Sequence, residues 1–245
     1  MKLQEVFDQL RHGELSQLSI GGQPQGVVNA KNQDVFLNAL NLGLTNLHTR
    51  FRIKEGRLKL LLLPDMYLYI LKGAYALNNT ESTESVRYIE GDFQDDLAKI
   101  EELWTEEGHP VLLNVKDKYS CYTPKTHVLR VPVPVINQDP DLPQYLYQLN
   151  ALDVVYRQLH PKVGPDEFGF LDVEETEIDL PYLYLEPLLY FIAGRVHHPV
   201  GMTGEFHMGA SYAAKYEQAC QRLENSGMQR DEVQTNNRLT RNGWV

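Results

Sequence analysis

Apolar residues recur at helical spacing towards both ends of the chain and at alternating spacing between them, and this change of period constrains the fold most. Leu3, Val6, Phe7 and Leu10 share one helical face. A longer stripe of Phe36, Leu40, Leu44, Leu47 and Phe51 follows Asn32, which is placed to cap it. Gly43 interrupts that stripe at a cost of about 1 kcal/mol relative to Ala, tolerable where a neighbour needs the space. Gly56 ends the helical pattern. Residues 57–63 and 66–71 then read as strands around a Pro64-Asp65 turn. Residues 99–104 and 111–115 read as a hairpin around 105–108, although 92–100 also has the look of a helix start. Residues 127–135 alternate, and Pro132 and Pro134 suggest an edge strand or extended segment. Residues 152–159 form a further strand stopped by His160-Pro161. Helical spacing returns with Leu188, Leu189, Ile192 and Val196, in a helix beginning close to Glu186 because Pro181 and Pro187 fit only near its start. After Pro199-Val200-Gly201, Phe206, Ala210, Ala213, Cys220 and Leu223 mark a last helix ending near Gly227.

The order predicts an α+β protein with a helical bundle built from both chain ends (1–53 and 180–227), an inserted β-rich domain (54–179) and an extended C-terminal tail (228–245). A 42% hydrophobic content supports one large or two small cores. The net charge of −10 argues against a general phosphate-gripping surface. Cys121 and Cys220 belong to no CxxC motif and read as reduced thiols. Residues 1–21 are amphipathic, unlike a secretory leader, and the apolar run 58–71 is too short to span a bilayer and is broken by Lys59, Pro64 and Asp65.

Motifs for chemistry are sparse. Gly201-Met202-Thr203-Gly204 lacks the Lys-Ser/Thr of a phosphate-binding loop. His197 and His198 point to different sides of a helix, and Pro199 separates them from Glu205 and His207, so a helix C-terminus carrying histidines is the simpler reading than a metal site. Asp92, Asp95, Asp96, Glu101 and Glu102 show no ligand spacing and read as a solvated acidic face. They lie in a stretch, 81–107, where acids outnumber bases ten to two. Tyr67 and Tyr69, and Tyr145 and Tyr147, sit at strand alternation. No catalytic residue, cofactor or metal is expected. The least ordinary segment is 238–245, where Arg238, Leu239, Arg241, Asn242 and Trp244 combine interface-forming side chains in a stretch with no apolar period.

The run Asp34-Val-Phe-Leu-Asn-Ala-Leu-Asn-Leu-Gly-Leu-Thr-Asn-Leu-His-Thr-Arg-Phe51, followed by Glu55-Gly56, resembles the opening of podovirus head-to-tail adaptors, also called tail tubular protein A or gatekeeper-type connectors. Leu180-Pro181, Leu188-Leu189-Tyr190-Phe191-Ile192-Ala193-Gly194-Arg195-Val196, Gly201-Met202-Thr203-Gly204-Glu205, Tyr212-Ala-Ala-Lys-Tyr216 and Arg241-Asn242-Gly243-Trp244 continue the likeness in the same order. The resemblance also takes in Thr123-Pro124 and Tyr156-Arg157. It implies a virion structural protein, assembled in the bacterial cytoplasm. Twelve copies would form a ring between the portal and the tail nozzle or hub, lining a channel through which genomic DNA passes unbound. It implies that residues 228–245 dock on the portal, with Arg238, Leu239, Arg241, Asn242 and Trp244 as contacts. The alternatives are another tail-completion or baseplate-side structural protein and, further off, a tail-associated hydrolase. No membrane partner is implied.

Overall fold

The computed structural model describes residues 1–16, 28, 32–82, 84–165, 171–197 and 204–226. Its contacts divide the chain into two compact units, Met1–Gly43 with Val163–Val245, and Leu44–Lys162.

The first unit is helical. Helix α1 (Leu3–His12) buries Leu3, Val6, Phe7 and Leu10, the face its spacing marks. Its first amides, which have no partner inside the helix, donate to the carbonyls of Thr176 and Val173. Helix α2 (Gln33–Arg50) follows the buried Asn32, whose carbonyl accepts the Val35 N–H. Helix α4 (Leu185–His197) starts after a single 3₁₀ turn, Tyr182–Tyr184, and carries Pro187 in its first turn, where a missing N–H costs nothing. Helix α5 is Gly204–Asn225.

Among its described residues the second unit contains eight strands, all paired antiparallel in two sheets, and a short helix α3 (Val133–Ile136). The strands are β1 (Glu55–Leu61), β2 (Leu68–Ile70), β3 (Ile89–Glu90), β4 (Leu97–Thr105), β5 (Pro110–Val111), β6 (Tyr122–Lys125), β7 (Val128–Arg130) and β8 (Ala151–Gln158). Their order is β3-β1-β8-β4-β5 in one sheet and β2-β7-β6 in the other. Leu58, Leu60, Leu103 and Val154 of the first sheet share one apolar core with Tyr69 and Leu129 of the second. The buried tyrosines are satisfied. Tyr69 Oη accepts the Leu63 N–H at 2.9 Å, and Tyr88 Oη accepts the Ile70 N–H at 2.9 Å while donating to the Ile70 carbonyl at 3.0 Å.

The expected bundle drawn from both chain ends is not what the helices form. Among the described residues the fold is α+β, with five helices and two antiparallel sheets. Among the described residues only α4 and α5, both from the C-terminal third, pack along their length, and α1 meets α4 over a short stretch. Apolar periodicity defines the face a helix buries but not its partner. The first part of α2 belongs to the helical unit and the remainder, from Leu44, to the β-rich unit, although Leu44, Leu47 and Phe51 are not part of the core that the two sheets share. Three local expectations also change. β1 and β2 do not pair across Pro64-Asp65 but lie in different sheets, the chain crossing with Asp65 at φ 61°. β7 is the central strand of its sheet, because Pro132 and Pro134 fall beyond its last residue, Arg130. Tyr145 lies in a 3₁₀ turn, Gln144–Leu146, that ends just before Tyr147, rather than in a strand.

Candidate functional site

The residues with most chemical character lie on the face of the five-stranded sheet turned away from its core. Register brings them together. Glu55 opposes Arg157, Arg57 opposes Val155 and Lys59 opposes Asp153 across β1 and β8. Across β8 and β4, Val155 opposes Glu102 and Asp153 opposes Trp104. A bulge at Glu101 inserts one residue between Ile100 and Glu102, so two neighbouring glutamates face the same side instead of alternating.

Each glutamate then meets its own arginine. Arg157 Nη2 lies 2.7 Å and its Nε 2.8 Å from Glu101 Oε1, with both side chains almost fully buried. Arg157 Nη1 donates to the Thr49 carbonyl at 2.6 Å, in the last turn of α2, where a cation complements the helix dipole. Arg52 Nη2 donates to Glu102 Oε1 at 2.8 Å and pairs through Nε with Glu55. Trp104 Nε1 donates to Glu102 Oε2 at 3.1 Å. Burial pushes the Glu102 carboxyl up, but the hydrogen bonds from Arg52 and Trp104 outweigh it and hold it below its ordinary value. Lys59 bridges Glu106 at 3.0 Å and Glu90 at 3.7 Å. Between these strands is a cavity of about 650 Å³, lined by Glu55, Glu90, Glu102, Glu106 and Asp153 against Arg57 and Lys59, with Trp104 at one side. It is a charged cleft open to solvent, suited to recognising a charged surface.

The second distinctive region is in the helical unit, where two glycines set the helix spacing. A Cβ on Gly43 of α2 would lie 2.8 Å from Leu188 and 3.0 Å from Phe191 of α4. A Cβ on Gly194 of α4 would lie 3.4 Å from the Ala213 nitrogen and 3.5 Å from the Gly209 carbonyl of α5. Tyr212 of α5 stacks on His197 with ring centroids 5.3 Å apart and donates its hydroxyl to the Glu14 carbonyl at 3.1 Å. Lys215 lies 4.8 Å above the same ring.

Arg238, Leu239, Arg241, Asn242 and Trp244 lie outside the described residues, as does His198. His197 is buried against Tyr212, and among the described residues no three His, Cys, Asp or Glu side chains are grouped to hold a metal. Cys121 and Cys220 are free and buried. Among the described residues no helix is long and apolar enough to cross a membrane. The acidic run 92–102 does not behave as one solvated face. Asp92 is exposed, but Asp96 accepts hydrogen bonds from Tyr156 and Gln158, and Glu101 is buried on Arg157. Sequence reasoning gave Arg157 no site role, although a cation directly after the apolar run Val154-Val155-Tyr156, still within a strand, is a signal. No protein-family model matches the chain, and no curated protein matches it.

Proposed function

We propose that the chain is a structural protein of a tailed-bacteriophage neck, a head-to-tail adaptor. Twelve copies form a ring between the portal and the tail nozzle or hub and line the channel through which DNA leaves. The protein is assembled in the bacterial cytoplasm and carried in the virion. Residues 228–245, with Arg238, Leu239, Arg241, Asn242 and Trp244, dock on the portal.

What supports this reading is where the family-like segments fall in the fold. The run Asp34–Phe51 supplies α2, Leu188–Val196 supplies α4, and Tyr212–Tyr216 lies in α5. Their glycines, Gly43 and Gly194, are the points at which these helices approach. The likeness therefore rests on residues that pack against one another, not on scattered surface matches. A ring subunit also needs two different complementary surfaces rather than one pocket, which suits a chain rich in charged faces.

The deciding experiment truncates the chain after Ser226. Filled heads carrying the truncated protein should fail to join tails, while the full chain supports joining. Normal joining by the truncated protein would remove the tail from the mechanism. Imaging the neck counts the copies: twelve in contact with the portal agrees with an adaptor, and six or three elsewhere means a tail-completion or baseplate-side protein.

A further inference from the structure

We infer that the lysine-bearing loop between β5 and β6 of one copy docks into the charged cleft on the five-stranded sheet of a second copy, as a head-to-tail contact between subunits. This rests on the ring reading above and names the surfaces that would make it.

The loop is built to hold a fixed shape. Asn114, at φ 56°, turns the chain, and its N–H donates to the Cys121 carbonyl while the Cys121 N–H donates to the Leu112 carbonyl. The Val115 N–H donates to Ser120 Oγ at 3.1 Å, the Tyr122 hydroxyl donates to the Val115 carbonyl at 2.6 Å, and the Tyr119 N–H donates to Asp117 Oδ1 at 2.8 Å. The Tyr119 hydroxyl ties the loop to the Asp141 carbonyl at 2.7 Å. Despite this order the loop leaves apolar side chains in water: Leu112 is 41% exposed, Val115 48% and Tyr122 38%. Lys116, Lys118 and Lys125 follow or flank them in sequence and are exposed; Lys118 lies 4.5 Å over the Tyr119 ring and is drawn to Asp139 and Asp141, whereas Lys116 and Lys125 make no ion pair among the described residues. A preordered loop that exposes apolar residues beside cations has the anatomy of an interface core and rim.

Charge complementarity selects the occupant. The cleft lies on the same compact unit, on the outer face of the five-stranded sheet, where five carboxylates outnumber Arg57, Lys59 and the adjoining Arg52, and Trp104 can receive an apolar contact. In a second copy it presents what the loop lacks. Backbone edges offer less. Tyr88 occupies the outward N–H and carbonyl of Ile70 on β2, the Leu77 N–H occupies the Ile89 carbonyl on β3, and on β6 Asn114 Oδ1 occupies the Thr123 N–H while Pro124 has none. On these three edges a neighbour is left with side-chain surfaces rather than strand addition. Because the loop and the cleft are different surfaces, the contact is heterologous, the kind that closes into a ring.

The test uses the full chain at about millimolar concentration, where interfaces of only a few kcal/mol are populated. A mixture of isotopically light and heavy protein is treated with a carbodiimide, which joins lysines only to carboxylates they touch. Mixed-isotope links from Lys116 or Lys118 to Glu90, Glu106 or Asp153 are expected. Replacing both lysines, Lys116→Glu with Lys118→Glu, removes the linking amines with the charge, so association is read by sedimentation without the reagent and should weaken by about tenfold, as reversal of two interface charges implies. Mixing that variant with one carrying Glu90→Lys and Glu106→Lys should restore it. The pair Lys2→Glu and Lys215→Glu changes net charge equally and should leave association unchanged. Circular dichroism establishes that each variant is folded. Absence of loop-to-cleft links, or loss without rescue by the swapped partner, overturns the inference. If twelve-copy rings still form on portals with the lysine-reversed protein, the docking fails and the adaptor reading stands. If the links form but the neck contains no ring of this chain, the docking stands and the adaptor reading fails.

Discussion

Arg157 and Glu101 place a charged pair where water barely reaches, with side chains 2% and 5% exposed. Removing one partner strands the other, which costs about 3–5 kcal/mol, whereas replacing both with apolar groups of similar size is close to neutral. Arg157→Met should therefore lower unfolding stability by that amount in a urea titration, and Arg157→Met combined with Glu101→Leu should recover most of it. Equal losses in the single and double variants would mean that the Thr49 carbonyl, not Glu101, is the partner that matters. Glu102 offers a test in pH. Its carboxyl is held below the usual 4.5 when folded, so the folded chain binds that proton more weakly than the unfolded chain. The stability it contributes is complete above the unfolded value and is lost as pH falls through the folded one. Arg52→Gln should flatten the loss of stability between about pH 5 and 3 relative to the unchanged protein. Parallel acid profiles would assign the effect elsewhere. Neither pair was legible from spacing, because strict alternation sends Glu101 and Glu102 to opposite faces and only the bulge in β4 turns both outward.

At the scale of elements, the helices were read most accurately and the strand pairings least. Leu3, Val6, Phe7 and Leu10 are all buried, as are Phe36, Leu40, Leu44, Leu47 and Phe51, because a 3.6-residue repeat is a local property of the chain. Pairing is not local. Nothing in residues 57–71 states that β1 and β2 belong to different sheets, and Gly56 read as the end of a helical region when it lies inside β1. Its function there is steric. The ring of Tyr156, its cross-strand partner, lies over it, and a Cβ would overlap Tyr156 Cζ. Tyr88 has an equally specific task at the outer side of β2, where burial raises its phenol to about 12 and its hydroxyl serves both backbone groups of Ile70. Tyr88→Phe keeps the ring contacts with Tyr69 and Tyr75 but leaves those groups unserved. A loss of about 1–3 kcal/mol is expected in chemical denaturation, together with faster aggregation on mild heating as the edge opens. A variant as stable as the parent and no more prone to aggregate would show that water replaces the hydroxyl at no cost.

For the whole molecule, the division into units has a consequence that depends on chain order. Leu44–Lys162 is one continuous stretch, while the helical unit is assembled from Met1–Gly43 and Val163–Val245. The continuous unit carries both sheets, the apolar core they share, the Arg157–Glu101 pair and the C-terminal turn of α2 that Arg157 caps. The whole shared apolar core and the Glu101 and Thr49 partners of Arg157 lie within it, so residues 44–162 expressed alone should fold. At this length a single core is sufficient for an independent domain. Cys121 supplies the readout. Its thiol is buried and pushed up to about 12, so in the folded fragment it should resist a thiol reagent at pH 8 and react fully only in denaturant. Protection matching that of the full chain, with a cooperative urea transition, is the expected result. Immediate labelling of Cys121 in the fragment would mean that its core depends on residues outside 44–162 and that the two units fold as one. The helical unit has no such route, because no continuous fragment contains both α1 and the α4–α5 pair without the strands between them. Folding of the β-rich unit first would leave α1, α4 and α5 to assemble around an insertion already in place, which predicts two kinetic phases, the faster one reporting Cys121 protection.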